Sequence, residues 1–124
     1  MTKVLVLDDE PGRHKLFAQI FRDAEITQAW NQFEAECALS PRCVDVFDVA
    51  TLDHDLGMNA GDGLAVARFI VAMPGERRPR QVLVHSSNPV GAKVMLETLK
   101  RAGINAMRID SLALVQDARW QSKK

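Results

Sequence analysis

Residues 3–11 read Lys-Val-Leu-Val-Leu-Asp-Asp-Glu-Pro. Val4 to Leu7 form a short apolar run that stops abruptly at acids and a proline, which predicts a buried strand ending in a loop. That strand delivers Asp8 and Asp9 at its carboxyl end. Pro11 suits the first turn of a helix, where its missing N–H has no intrahelical partner to lose. Leu16, Phe17, Ile20 and Phe21 then recur at helical spacing, so residues 11–23 are expected to form a helix with one face against a sheet.

The same alternation continues along the chain. Glu25–Trp30 is compatible with a second strand, and Asn31 with the N-cap of a helix that runs to Leu39 before Ser40-Pro41 breaks it. Val44–Leu52 is mostly apolar, interrupted by Asp45 and Asp48, and ends in Asp53-His54-Asp55-Leu56-Gly57. A glycine-rich loop over 57–63, with Asn59 and Asp62, leads to a helix carrying Leu64, Val66, Ala67, Phe69, Ile70 and Met73, which Pro74-Gly75 stops. Val82–Val84 forms a fourth strand running into His85-Ser86-Ser87-Asn88-Pro89, where Asn88 caps and Pro89 opens a helix to Ala102. Ile104–Ile109 is the fifth strand, Asp110–Trp120 a last helix, and residues 121–124 a polar tail.

Five short strands alternating with helices imply parallel βαβ units with right-handed crossovers. The expected fold is an α/β three-layer α/β/α sandwich, one domain over residues 1–124, with a five-stranded parallel sheet in the flavodoxin-like order 2-1-3-4-5. The bulk composition agrees: 124 residues, 47% hydrophobic and 26% charged, is an ordinary globular balance. Sixteen basic residues offset sixteen acidic ones, so no global field exists to hold nucleic acid or an anionic membrane. The start lacks the pattern of a secretory signal and no apolar run approaches the length of a membrane span, so a cytoplasmic location is expected. The two cysteines, Cys37 and Cys43, lack metal-binding or redox spacing and read as reduced thiols.

In parallel sheets, ligands bind beyond the carboxyl ends of the strands. Asp8, Asp9, Asp53, His54, Asp55, His85 and Ser86 all fall there, on strands one, three and four, which are neighbours in the expected order. Singly, an Asp-Asp pair or a loop histidine is most often a cap or a solvated side chain. Four carboxylates drawn together repel one another unless a cation neutralises them, and hard oxygen ligands at this density suit Mg²⁺ or Mn²⁺.

LVLDDEP, followed by DVATLDHDLG, GDGLAVARFI and VLVHSS, resembles the receiver domains of two-component response regulators over nearly the whole chain. The resemblance implies that Asp8 and Asp9 hold Mg²⁺, that an aspartate accepts a phosphoryl group, and that Ser86, or His85 beside it, contacts that group. Alignment by the strand makes Asp53 the acceptor, whereas counting back from Asp62-Gly63 selects Asp55; the other acid is then an extra metal ligand or a general acid/base. Receivers place a lysine followed by proline after strand five. Here Asp110-Ser111 stands instead, with Arg108 two residues earlier as the available substitute. DHDLG together with HSSNP is similar to a narrower group, the cyclic-phosphate processing receivers.

That narrower resemblance implies a metal-dependent phosphoesterase acting on a small or cyclic phosphate. Asp8, Asp9, Asp53 and Asp55 would be the metal ligands. Asp53, His54 and His85 would be catalytic, and Ser86, Ser87 and Arg13 would hold phosphate, with His14 near the same end. The rival readings are a phosphorylatable single-domain switch and a degenerate receiver that binds a protein partner. The basic loop of Arg77, Arg78 and Arg80 is assigned to the opposite end of the sheet and to solubility.

Overall fold

The computed structural model describes residues 1–40, 46–57, 61–86 and 88–109. The expected final helix and tail, Cys43, Asn59 and Ser87 lie outside these residues. Alternating strand-like and helical apolar runs produce strands β1 (Lys3–Leu7), β2 (Glu25–Ala29), β3 (Val49–Leu52), β4 (Gln81–Val84) and β5 (Ala106–Arg108), and helices α1 (Pro11–Ile20), α2 (Gln32–Leu39), α3 (Gly63–Ala72) and α4 (Pro89–Arg101). The sheet is parallel in the order β2-β1-β3-β4-β5, as expected from the sequence. Leu7 pairs in register with Ala29 on one side and Leu52 on the other, and Leu52 with Val84. The strand ends are therefore level, and whatever follows Leu7, Leu52 and Val84 is brought together.

Alternate strand residues serve two cores. Val4, Val6, Val49 and Leu83 pack against Phe17, Ile20 and Phe21 of α1 on one face. Leu5, Leu7, Leu52, Val82 and Val84 pack against α2, α3 and α4 on the other. Burial of this kind contributes roughly 1.5–3 kcal/mol for each large side chain. Asn31, Asp62 and Asn88 cap α2, α3 and α4 by accepting the N–H of Glu34, Ala65 and Gly91 at 2.8, 2.8 and 3.0 Å.

Several boundaries differ from the sequence-based expectation, and β5 covers only Ala106–Arg108 of the expected 104–109. α1 ends at Ile20, with a turn over 21–23, and β2 stops at Ala29, one residue before Trp30. β3 begins only at Val49, because Asp48 works as a clasp: its carboxylate accepts the Lys3 N–H at 2.8 Å and its own N–H bonds the Lys3 carbonyl at 2.8 Å. A short 3₁₀ turn, Gly75–Arg77, was not expected.

Arg78 has a structural role that the sequence did not reveal. Its guanidinium donates to the carbonyls of Val71 at 2.7 Å, Met73 at 3.1 Å and Ala102 at 3.3 Å, and so ties together the carboxyl ends of α3 and α4. Those carbonyls have no partner within their helices, and the cation also complements both helix dipoles. Arg78→Ala is expected to lower unfolding free energy by roughly 2–4 kcal/mol, with Arg78→Lys recovering only part, since an ammonium lacks the planar fork. Urea denaturation checks this; an Arg78→Ala midpoint equal to that of the wild type would contradict it.

Candidate functional site

At the carboxyl edge, Asp8, Asp9 and Asp53 each offer a carboxylate oxygen within 4.8 Å of the others. Asp8 and Asp53 are buried and Asp9 is exposed. Each is the first residue or two beyond β1 or β3, and Asp53 is fixed there by its N–H, which donates to the Leu7 carbonyl at 3.1 Å. α3 begins against it: a Cβ at Gly63 would overlap the Asp53 carbonyl oxygen, and the Gly63 N–H donates to the His54 carbonyl at 2.9 Å. Only glycine permits that approach.

Asp8 is the most heavily engaged acid. Its Oδ1 accepts the Glu10 N–H at 2.9 Å, its Oδ2 accepts Arg13 Nε at 2.7 Å, and His85 Nδ1 lies 3.4 Å from the same Oδ2. Its backbone carbonyl accepts His14 Nε2–H at 2.9 Å. Arg13 also reaches toward Asp53, with 3.8 Å between Nη2 and Oδ2. Arg13 thus joins the acid cluster directly from the first turn of α1.

The two predicted catalytic histidines lie in unlike places. His85 is buried on the α1 face, its ring tilted against Phe17 with centroids 4.8 Å apart, and its Nε2 finds no partner among the described residues. Burial, with the nearby charge of Arg13, pushes its pKa down to about 3, so the ring is neutral. His54 projects to the opposite face, where a Cβ on Gly91 at the start of α4 would come within 2.7 Å of its ring. Its Nδ1 is 2.9 Å from Asp55 Oδ1. Nδ1–H donated to that carboxylate would turn Nε2 away from Asp55.

Asp55 is exposed and stands outside the group of three converging carboxylates; its contacts are with His54 and, through an isolated bridge, with Asp62. Ser86 Oγ accepts the Asn88 N–H at 3.1 Å, at the entrance to α4. Ser87 falls outside the described residues. Arg108, the expected substitute for the missing lysine, donates to the Ser86 carbonyl at 3.2 Å; the guanidinium that reaches Asp53 is that of Arg13. Sequence reasoning took Gly63 only as a loop and Asp-Gly turn residue, and overlooked Gly91 and Trp30, which stacks on His14 with ring centroids 3.7 Å apart.

Burial, then the negative charge of Asp8, pushes the Asp53 carboxyl up to about 7, against the pull of Arg13. Asp8 is also raised by burial, opposed by the Glu10 N–H and Arg13. The sign of the pH dependence follows. Asp53 holds its proton in the fold from its ordinary 3.8 to about 7, so its contribution favours folding at low pH and is lost as pH rises through that window. His85, folded about 3 against 6.5, contributes in the opposite sense, losing stability as pH falls through 6.5 to 3. The slopes of Asp53 and His85 oppose each other, and Asp8, also raised, adds to the slope of Asp53. Asp53→Asn is expected to tilt the profile toward stability at higher pH, gaining on the wild type by roughly 2–4 kcal/mol between pH 4 and pH 8. Thermal unfolding in chelator across that range is the check; parallel profiles would contradict it.

No curated protein matched the sequence. Among solved structures, the chain superposes on the signal receiver domain of a DNA-binding response regulator from Colwellia psychrerythraea 34H at 18% identity and a TM-score of 0.66, covering 100% of both chains. A CheY-like receiver domain from Methylobacillus flagellatus matches at 15% identity and 0.69, over 100% of this chain and 99% of that one. The receiver domain of a sensor histidine kinase from Pseudomonas aeruginosa PAO1, described with a magnesium ion coordinated in its active-site cleft, matches at 19% and 0.68, covering 98% of both. These likenesses establish the receiver fold. The sequence itself matches the profile of the cyclic-phosphate processing receiver domain over residues 3–101, and the chain belongs to that family.

Proposed function

We propose that this protein binds a divalent cation, Mg²⁺ or Mn²⁺, at Asp8, Asp9 and Asp53 and uses it to hydrolyse a cyclic phosphate or related phosphoester. The observation that carries this reading is the convergence of the three carboxylates within 4.8 Å of one another at the carboxyl edge of the sheet. The donor set fits the ion: three hard oxygen ligands, two of them buried, face one guanidinium among the described residues, that of Arg13, and burial with the charge of Asp8 raises the Asp53 carboxyl. The magnesium ion in the cleft of the Pseudomonas receiver supports the same assignment. A cation there supplies charge neutralisation on the phosphate and acidifies a bound water.

The chain's own residues divide the remaining work. Arg13, 40% exposed in its side chain, is placed to exchange Asp53 for a phosphate oxygen once a metal takes over the acid. Ser86 and the amino end of α4 offer hydrogen-bond donors to the same anion. His54, oriented by Asp55, would be the acid/base: water oxygen bonds to phosphorus as His54 Nε2 takes the water's proton, the ring P–O bond breaks, and His54 returns that proton to the departing oxygen. The net reaction consumes one water and leaves a phosphomonoester.

His85 has a different task from the acid/base role expected of it. Buried and neutral, with Nδ1 toward Asp8 Oδ2, it positions a metal ligand without touching substrate. The rival switch reading keeps one supporting observation: Asp53 is buried at the end of β3 beside Asp8 and Asp9, the place of a phosphoryl acceptor.

Ring opening of 2′,3′- and 3′,5′-cyclic nucleotides, followed with Mg²⁺ or Mn²⁺, tests the proposal. Turnover is expected for at least one class, reduced about 100-fold or more in His54→Ala and in Asp53→Asn. Absence of turnover across the panel, with Asp53 labelled by a small acyl-phosphate donor, would overturn it in favour of the switch.

A further inference from the structure

Trp30 stands one residue beyond β2. Ala29 pairs with Leu7, and the Asp8 N–H donates to the Ala29 carbonyl at 3.1 Å, so Trp30 is level with Asp8 on the adjoining strand. Neighbouring strands lie about 4.8 Å apart, which puts this residue at the flank of the acid cluster. Its ring stacks on His14, centroids 3.7 Å apart and planes 27° from parallel. His14 is itself buried and donates Nε2–H to the Asp8 carbonyl at 2.9 Å. The tryptophan ring is therefore fixed, through one hydrogen bond and one stack, to the backbone that carries the acids.

The covered face of Trp30 has a purpose in packing; the rest of the ring does not. Trp30 remains 37% exposed, at the edge of a parallel sheet where ligands bind, and Phe33, 75% exposed, follows within one turn. The turn is rigid: the Trp30 N–H donates to Glu34 Oε1 at 2.8 Å, and Asn31 caps α2. A large ring held still costs little entropy to use in binding. Aromatic faces of this kind take nucleobases, and each such stack contributes about 1–3 kcal/mol.

We infer that Trp30 is a stacking platform for a nucleobase, so that the ligand of the acid pocket is a nucleoside phosphate rather than a bare sugar phosphate or inorganic phosphate. This rests on the phosphate-pocket reading above. In it, the phosphate lies over Asp8, Asp9 and Asp53 while the base extends the His14–Trp30 stack to three rings. The neutral base tolerates the surrounding carboxylates, which a second anionic group would not.

The test compares adenosine 2′,3′-cyclic phosphate with the base-free methyl riboside 2,3-cyclic phosphate, in Mg²⁺. Trp120→Phe leaves Trp30 as the only tryptophan for fluorescence. The nucleotide is expected to quench Trp30 emission and to bind about tenfold tighter than the riboside. Trp30→Ala should abolish that preference, weakening nucleotide binding about tenfold more than riboside binding, and Trp30→Phe should retain most of it. Equal binding of the two ligands, or equal weakening of both by Trp30→Ala, would overturn the inference while the pocket reading stands. Binding of neither ligand to protein shown to hold Mg²⁺ would overturn both.

Discussion

Two carboxylates, Asp8 and Asp53, are buried side by side at the edge of a parallel sheet, and most of the surrounding architecture answers to that fact. Removing such groups from water disfavours their charged forms, and their mutual repulsion adds to the effect. An acid that served only the fold would be replaced by an apolar residue at less cost. Donors are instead directed at Asp8 from three places: the Glu10 N–H in the loop after β1, the Arg13 guanidinium of α1 and the His85 imidazole after β4. Asp53 lacks a comparable set among the described contacts and retains its proton to about 7. A fold that organises one acid and leaves its neighbour with fewer donors is what the proposed cation site would require.

The histidines show how strand parity separates roles. His85 shares the face of Leu83 and falls among Phe17 and Asp8, where it is dry and neutral. His54, one residue past the buried Asp53, turns to the other face and meets Asp55 and Gly91. The first faces Asp8 from within the core; the second has its Nδ1 beside the Asp55 carboxylate. Glycines 63 and 91 allow both helices to approach these residues closely, so the site depends on missing Cβ atoms as much as on charged groups.

Much of this was legible in the chain. Val4–Leu7 and Val82–Val84 are buried on both faces, so their sequences read as unbroken apolar runs ending in polar clusters, and sheet order followed from alternation. β3 was harder, since Val46 and Phe47 extend its apolar run while Asp48 ends it by bonding Lys3. The acids were visible because burial makes their clustering improbable. The direction of His85 was not, because a strand buried on both faces gives no polar alternation to read. It was available from parity with Leu83. Arg78 looked like a solvated loop cation; its three carbonyl partners come from helix ends distant in sequence. Trp30 read as the last residue of a strand, and only the stack on His14 sets it apart.

The most direct test of the central claim is calorimetric titration of Mg²⁺ and Mn²⁺ into the protein at pH 6 and pH 8.5, in buffers of different ionisation enthalpy. The account predicts one divalent ion per chain, release of a proton on binding at pH 6 but not at pH 8.5, and loss of the site in Asp53→Asn. Binding that is absent, or that Asp53→Asn leaves intact, would contradict it.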